Sequence, residues 1–312
     1  MRNHHTSTLL LSLFIAAFNI QAQEVTVRRV FNVTLNTSAP AQLAIDRGRL
    51  IWRETNTSTN HLDLKYYSGA EIFLLDSNLV GLTAAISGNV IVWNTSGEAV
   101  KAFDTRNWTT TSLGQSYNPV FIQPIATHNS LAAFARRRAT TGTQIVLHSF
   151  ASGTDSLISA GTWNTVPSLH HGQMAWTAAD SEASTASSDI FFFDGKSSRN
   201  ISNTTNLRNR TPVLRDGQIL WLQSGSGFPR VKLFTGDTTI TLVQSPNGVT
   251  VVAGYDASNG IAVAVLTDTV TKRSTITIYN TETSSTTTQK SSVQRMRWAR
   301  ISHGPAGLRA SK

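Results

Sequence analysis

Cysteine is absent from all 312 residues, which excludes disulfides, thiolate metal centres, a cysteine nucleophile and a lipid-modified N-terminal cysteine together. Charge is scarce: 14% of residues are Asp, Glu, Lys or Arg, against about 25% in an average soluble protein. Ser, Thr and Asn make up the polar balance, which argues against coiled coils and long helices. Long apolar runs are also missing. The longest candidate, Leu9 to Phe18, is half the roughly 20 residues that a membrane-spanning helix needs, and no later stretch approaches that length. What remains is 40% hydrophobic residues, enough to build a sizeable core and to set disorder aside.

Residues 1–22 read as a secretory signal: Arg2, His4 and His5 precede the apolar run, and small Ala22 offers a cleavage position. Residues 23–312 are then expected to form one domain, monomeric and without a membrane span, in the periplasm or outside the cell. Lack of cysteine despite export favours the bacterial periplasm over a disulfide-rich surface. Lys and Arg number 27 against 18 Asp and Glu, a formal charge of +9, which points toward an anionic partner. Basic residues cluster at Arg136, Arg137 and Arg138 and again between Arg295 and Lys312. No zinc-finger, helix-turn-helix or RNA-binding signature directs that charge to specific nucleic acid.

A nine-residue phrase recurs six times, ending at Trp52, Trp93, Phe134, Trp176, Trp221 and Ala264, at intervals of 41, 41, 42, 45 and 43 residues. Each copy reads as a hairpin: a short apolar strand, a polar turn with Gly48, Gly88, Gly172, Gly217 or Gly260 in five copies, then an apolar strand ending in an aromatic or small residue. A further β-rich segment follows each phrase, such as Leu62 to Tyr67 or Ile190 to Phe193, and then a shorter Ser/Thr-rich one such as Thr238 to Val243. Four antiparallel strands per unit of about 40–50 residues predict an all-β propeller. The count is six blades, or seven if Val25 to Leu35 and Val293 to Ser302 share a blade. Pro40, Pro124, Pro167 and Pro212 are expected just before or at the start of the first strand. The repeated Trp52, Trp93, Trp176 and Trp221 are expected to pack between blades.

The Pro-strand-turn-Gly-strand-aromatic phrase, with apolar strands such as Ile190-Phe191-Phe192-Phe193-Asp194-Gly195, resembles the TolB-like family of six-bladed propellers over about residues 38–290. The family's Ser-Pro-Asp-Gly turn survives only as Asp216-Gly217. The resemblance implies architecture, not TolB's partners.

With strands A to D alternating in direction, the B–C and D–A connections share one face, and binding residues are expected there. The candidates are Arg136, Arg137 and Arg138, Tyr117, Trp163, Arg208 and Arg210, for a protein or glycan partner. Trp163 either stacks on a ligand or seals a gap between blades. Phe228 is another candidate anchor. An enzyme, a lyase or hydrolase, would need carboxylates such as Glu54, Glu98, Asp180, Glu182 and Asp268 to converge. No complete catalytic set, cofactor motif or paired-His metal spacing is present. His128, His170 and His171 are assigned to A–B turns on the opposite face. The His170-His171 pair is expected to point apart, as adjacent residues of a strand do. Asp76-Ser77-Asn78 and Asp256 to Gly260 are read as turns, because both lack the later acidic ligand of a calcium loop.

Overall fold

In the computed structural model, residues 43–79, 83–94, 99–115, 124–137, 142–159, 161, 163–181, 183, 186–225 and 227–291 are described. The signal span and both terminal strand candidates lie outside them, as do Pro40, Glu98, Tyr117, Arg138 and Glu182. Among the described residues, twenty-four strands form six successive four-stranded modules. The first comprises β1 (Leu43–Asp46), β2 (Arg49–Thr55), β3 (Leu62–Tyr67) and β4 (Ile72–Leu79). The second has β5 (Thr83–Ser87), β6 (Val90–Asn94), β7 (Ala99–Asp104) and β8 (Thr109–Gln115), and the third β9 (Ala126–His128), β10 (Leu131–Arg137), β11 (Thr143–Ser149) and β12 (Thr154–Leu157). The fourth contains β13 (Trp163–His170), β14 (Gln173–Ala179), β15 (Ser188–Phe193) and β16 (Ser198–Asn200), and the fifth β17 (Arg208–Arg215), β18 (Gln218–Gly225), β19 (Gly227–Phe234) and β20 (Thr239–Gln244). The sixth is β21 (Thr250–Ser258), β22 (Ile261–Asp268), β23 (Ser274–Asn280) and β24 (Ser285–Ser291). Each module is an antiparallel meander in chain order.

The repeated phrase is the A–B hairpin of every module. Arg47-Gly48, His171-Gly172, Asp216-Gly217 and Asn259-Gly260 all have positive φ at both turn residues, the type I′ geometry whose twist matches paired strands. Prolines 167 and 212 sit inside β13 and β17, not before or at the start of them. Each lies in a break of register, between Thr165 and Ser168 and between Arg210 and Val213. A bulge leaves one residue out of the ladder, so the missing proline N–H costs no bond there. Pro124, by contrast, precedes β9 as expected.

The core lies between successive modules. Trp93 packs with Ile51, Leu64 and Tyr66 of the first module, Phe134 with Val90, Val92 and Ala102 of the second, Trp176 with Ala133, Ala135 and Ile145 of the third, and Trp221 with Ala175, Ile190 and Phe192 of the fourth. The aromatics at the ends of the B strands of the second to fifth modules thus close onto the B and C strands of the preceding module, as the repeat predicts for Trp93, Trp176 and Trp221. Outer strands such as β12 are exposed throughout, and their Ser and Thr content blunts an otherwise sticky edge.

Polar staples reinforce three of these junctions. Asn164, at the start of β13, donates from Nδ2 to the Thr143 carbonyl (3.0 Å) and from its N–H to Thr143 Oγ1 (2.7 Å), while its Oδ1 accepts Trp176 Nε1–H (2.9 Å). Asn209 repeats this with Ser188 (2.8 and 3.1 Å) and Trp221 (2.8 Å). One parallel bridge at each site, Thr143 to Trp163 and Ser188 to Arg208, joins the third, fourth and fifth modules into a continuous twelve-stranded sheet. Between the first two modules Asp76 takes Asn's place, accepting Trp93 Nε1–H (2.9 Å) and Lys101 Nζ (2.8 Å). Asp76 therefore lies in β4 rather than in a turn.

Candidate functional site

Most of the basic and aromatic candidates belong to strands rather than loops. Arg136 and Arg137 are the last residues of β10, and successive strand residues face opposite ways. Arg136 binds the Asp155 carboxylate, donates to the Leu113 carbonyl (3.2 Å) and lies 5.5 Å over the Phe134 ring. Burial by itself would raise the Asp155 pKa, but hydrogen bonds from Arg136 and His148 outweigh it and hold the carboxyl below its ordinary value. Arg136 is thus committed to its own module and to β8 of the second, while Arg137 is exposed. Arg138 lies outside the described residues, so the three do not form one described patch.

Trp163 opens β13 and packs half-buried on the cluster around Trp176, which spans the third and fourth modules. Arg208 and Arg210 flank buried Asn209 on β17 and share its other face. Burial, then Arg208 nearby, lowers the Arg210 pKa. Residues 222–229, on the B–C connection of the fifth module, are strand almost throughout, because β18 and β19 run to Gly225 and from Gly227. Phe228 is on β19 and 42% exposed. Tyr117 lies outside the described residues.

The B–C and D–A face does carry a cleft of about 670 Å³ between the fifth and sixth modules. Pro246 and Asn247 line one side, and Asp268, Thr271, Arg273 and Lys290 line the other. Its walls are held locally: Asn247 Oδ1 accepts the Val249 and Thr250 N–H groups (3.1 and 2.9 Å), and Asp268 Oδ1 accepts those of Val270 and Thr271 (2.9 and 2.7 Å). Among the described residues, neither Arg273 nor Lys290 is in ion-pair contact with a carboxylate. Other described carboxylates of this face serve their own modules, Glu54 pairing with Lys65 and Asp180 accepting the Ser187 hydroxyl (2.9 Å).

The opposite face is organised by a relay that the sequence did not reveal. At four of the five successive A–B turn junctions one turn offers a side-chain acceptor to the next: Gly88 N–H donates to Asp46 (2.9 Å), Asn129 N–H to Ser87 Oγ (2.9 Å), Asp216 N–H to His170 Nδ1 (3.1 Å) and Asn259 N–H to Asp216 Oδ2 (2.9 Å). Among the described residues, no such bond joins the third turn to the fourth. Three imidazoles meet there instead. The rings of His128, His170 and His171 have centroids 4.3–4.4 Å apart. One ligand nitrogen from each lies within 4.8 Å of the other two.

The expectation that His170 and His171 point apart is therefore corrected. Strict alternation holds only while φ stays extended. At His171 φ is +49°, and this left-handed turn residue folds its ring back toward its neighbour. Burial first, then the charges of His170, His171 and Arg215, lower the His128 pKa to about 4, against the opposing pull of Asp216. Burial and His171 lower that of His170 as well. The His128 ring is therefore neutral at neutral pH. His128 Nε2 is buried without a hydrogen-bond partner, which ordinarily costs about 1–3 kcal/mol.

No protein-family model matches the chain, nor does any curated protein. Solved structures do match it. The β-propeller domain of the Trilobed protease from Pyrococcus furiosus, described as having an open velcro topology, aligns at 10% identity over 81% of this chain and 83% of that one, with a TM-score of 0.57. The fold is a β-propeller. A prolyl endopeptidase aligns at 9% identity over 79% of this chain and 42% of its own, TM-score 0.57. TolB from Acinetobacter baumannii aligns at 14% identity over 71% of this chain and 61% of its own, TM-score 0.43. The propeller spans less than half of that endopeptidase, and at these identities the likeness concerns fold alone. No helix among the described residues is long and apolar enough to cross a membrane.

Proposed function

We propose that this protein is a non-catalytic propeller, exported to the periplasm or beyond, that binds a protein or glycan partner on its B–C and D–A face. The cleft beside Arg273 and Lys290 carries this reading. Its volume of about 670 Å³ falls in the range of small-ligand sites, roughly 300–1,000 Å³. Its two cations suit an anionic group such as a uronate, a sulfated sugar or an acidic side chain. Arg136 contributes to the scaffold instead. Glu54, Asp180 and Asp268 belong to three different modules and each has a local partner, which favours recognition over turnover. Six four-stranded modules with one packing rule support a ring of six blades, TolB-like in architecture. A propeller scaffold does not itself choose a ligand.

The test compares the protein with an Arg273→Glu/Lys290→Glu variant on a glycan array and in capture from envelope extract, both at physiological salt. Saturable binding that falls at least tenfold in the variant is expected. Binding that survives the double reversal removes the cleft from the reading. A captured glycan recovered as cleaved or eliminated product would replace the binding protein with a carbohydrate-active enzyme.

A further inference from the structure

We propose that His128, His170 and His171 form a three-imidazole binding site for a divalent transition-metal ion, with zinc as the ion that fits best. The site clamps the third A–B turn to the fourth on the face opposite the ligand cleft. It is independent of the function proposed above.

The relay of turn-to-turn hydrogen bonds supplies the structural control. Asp46, Ser87 and His170 occupy equivalent positions at the end of strand A, and each accepts an N–H from the following turn. His128 holds the same position and makes no such bond, so its ring is not explained by the relay. Its Nε2 is instead buried and without a partner, in a ring packed against two further imidazoles, and one ligand nitrogen of each of the three rings lies within 4.8 Å of the others. Nitrogens around a tetrahedral zinc with bonds of about 2.0–2.1 Å lie about 3.3 Å apart. The widest pair must therefore close by roughly 1.5 Å, a movement open to His171, which is exposed. Neutral imidazole is the ligand form. With no cysteine in the chain and only nitrogen donors at the centre, the set suits zinc, copper or nickel rather than calcium or magnesium. Three protein ligands leave a fourth position for water or for an incoming group.

The surroundings fit with one adjustment. His170 Nδ1 accepts the Asp216 N–H, so Nε2 carries the ring proton until a metal binds there. Metal at Nε2 displaces that proton; with Nδ1 protonated in its place, the Asp216 N–H bond is given up and Asp216 Oδ1, 3.7 Å away, becomes the acceptor, the carboxylate–histidine arrangement common behind metal ligands. Arg215 is the opposing charge. Its guanidinium donates to the Leu214 carbonyl (2.9 Å) and acts on His128 and His170 electrostatically, so it weakens rather than forbids cation binding.

The repeat itself supplies mild test variants. Asn stands where His171 does in the third and sixth modules (Asn129, Asn259), and Ser stands where His128 does in the second (Ser87). Tag-free full chain, stripped with chelator, is titrated with zinc sulfate by calorimetry and followed by thermal melting. The wild type is expected to bind one ion tightly through the triad and to melt higher with zinc. His171→Asn and His128→Ser should each bind at least a hundredfold more weakly and lose the thermal shift, while Arg215→Gln should bind more tightly. Circular dichroism of the two weakened variants confirms that they fold. Zinc binding of equal strength in the folded variants would assign the ion to other histidines, such as His4 and His5, and overturn the proposal. So would wild type that binds no stoichiometric zinc.

Discussion

Asn209 is fully buried, and every polar atom it carries is in use. Its Oδ1 accepts from Trp221 and from Gln223 (2.9 Å), its Nδ2 donates to the Ser188 carbonyl and to Thr204 Oγ1, and its carbonyl accepts the Ser188 hydroxyl (2.9 Å). Truncation would leave buried donors with no water to turn to. Asn209→Ala is therefore expected to cost about 3 kcal/mol in urea unfolding, whereas Arg137→Ala, at an exposed strand end, should stay within about 0.5 kcal/mol. Asp155 gives a pH signature. Its folded pKa is depressed, so its contribution is present above the unfolded value near 3.9 and is lost as pH falls through the folded one. Stability measured from pH 5 to pH 2 should fall less steeply in Asp155→Asn than in the wild type. An equal slope would assign the acid sensitivity to other carboxylates.

Turns and strand ends decide which of these residues meet. The type I′ turns of the A–B hairpins need positive φ, and glycine supplies it at little cost in Gly172 (φ +76°), where an added Cβ would meet nothing within 4 Å. Gly225 is different. At φ +139° its Cβ would sit 2.9 Å from Leu207 Cδ2 and 3.2 Å from the Asn206 carbonyl oxygen, so strain and collision add. Gly172→Ala should cost about 1 kcal/mol and Gly225→Ala more than 2 kcal/mol. Chemical denaturation of both variants checks the order, and equal costs would mean that the loop beside Gly225 yields. Hairpins of this kind were legible from nine-residue phrases because turn geometry and alternation are local. The bulges at Pro167 and Pro212 were not, since a proline beside a strand and a proline within a bulged strand read alike until register is known.

The junctions between modules are unequal, and that inequality should show in dynamics. Asn staples and parallel bridges unite the third, fourth and fifth modules in one sheet, whereas the first, second and sixth are separate sheets held by side-chain packing and fewer polar links. Native-state hydrogen exchange should therefore be slowest in β14, β18 and their neighbours, and faster in β6 and β22. Uniform protection would show that the bridges add no local stability. The period of the chain determined the fold class, the four-strand unit and the burial of its repeated tryptophans, because a unit that cannot bury its own apolar face must stack on a copy of itself. It also placed the three histidines on the face away from the B–C loops. Only the tertiary structure decided what those residues do. Arg136 finds Asp155 through strand pairing, and His128 finds His170 and His171 across a junction some 42 residues long in sequence. Such distances are fixed by how neighbouring modules pack, which local sequence does not encode.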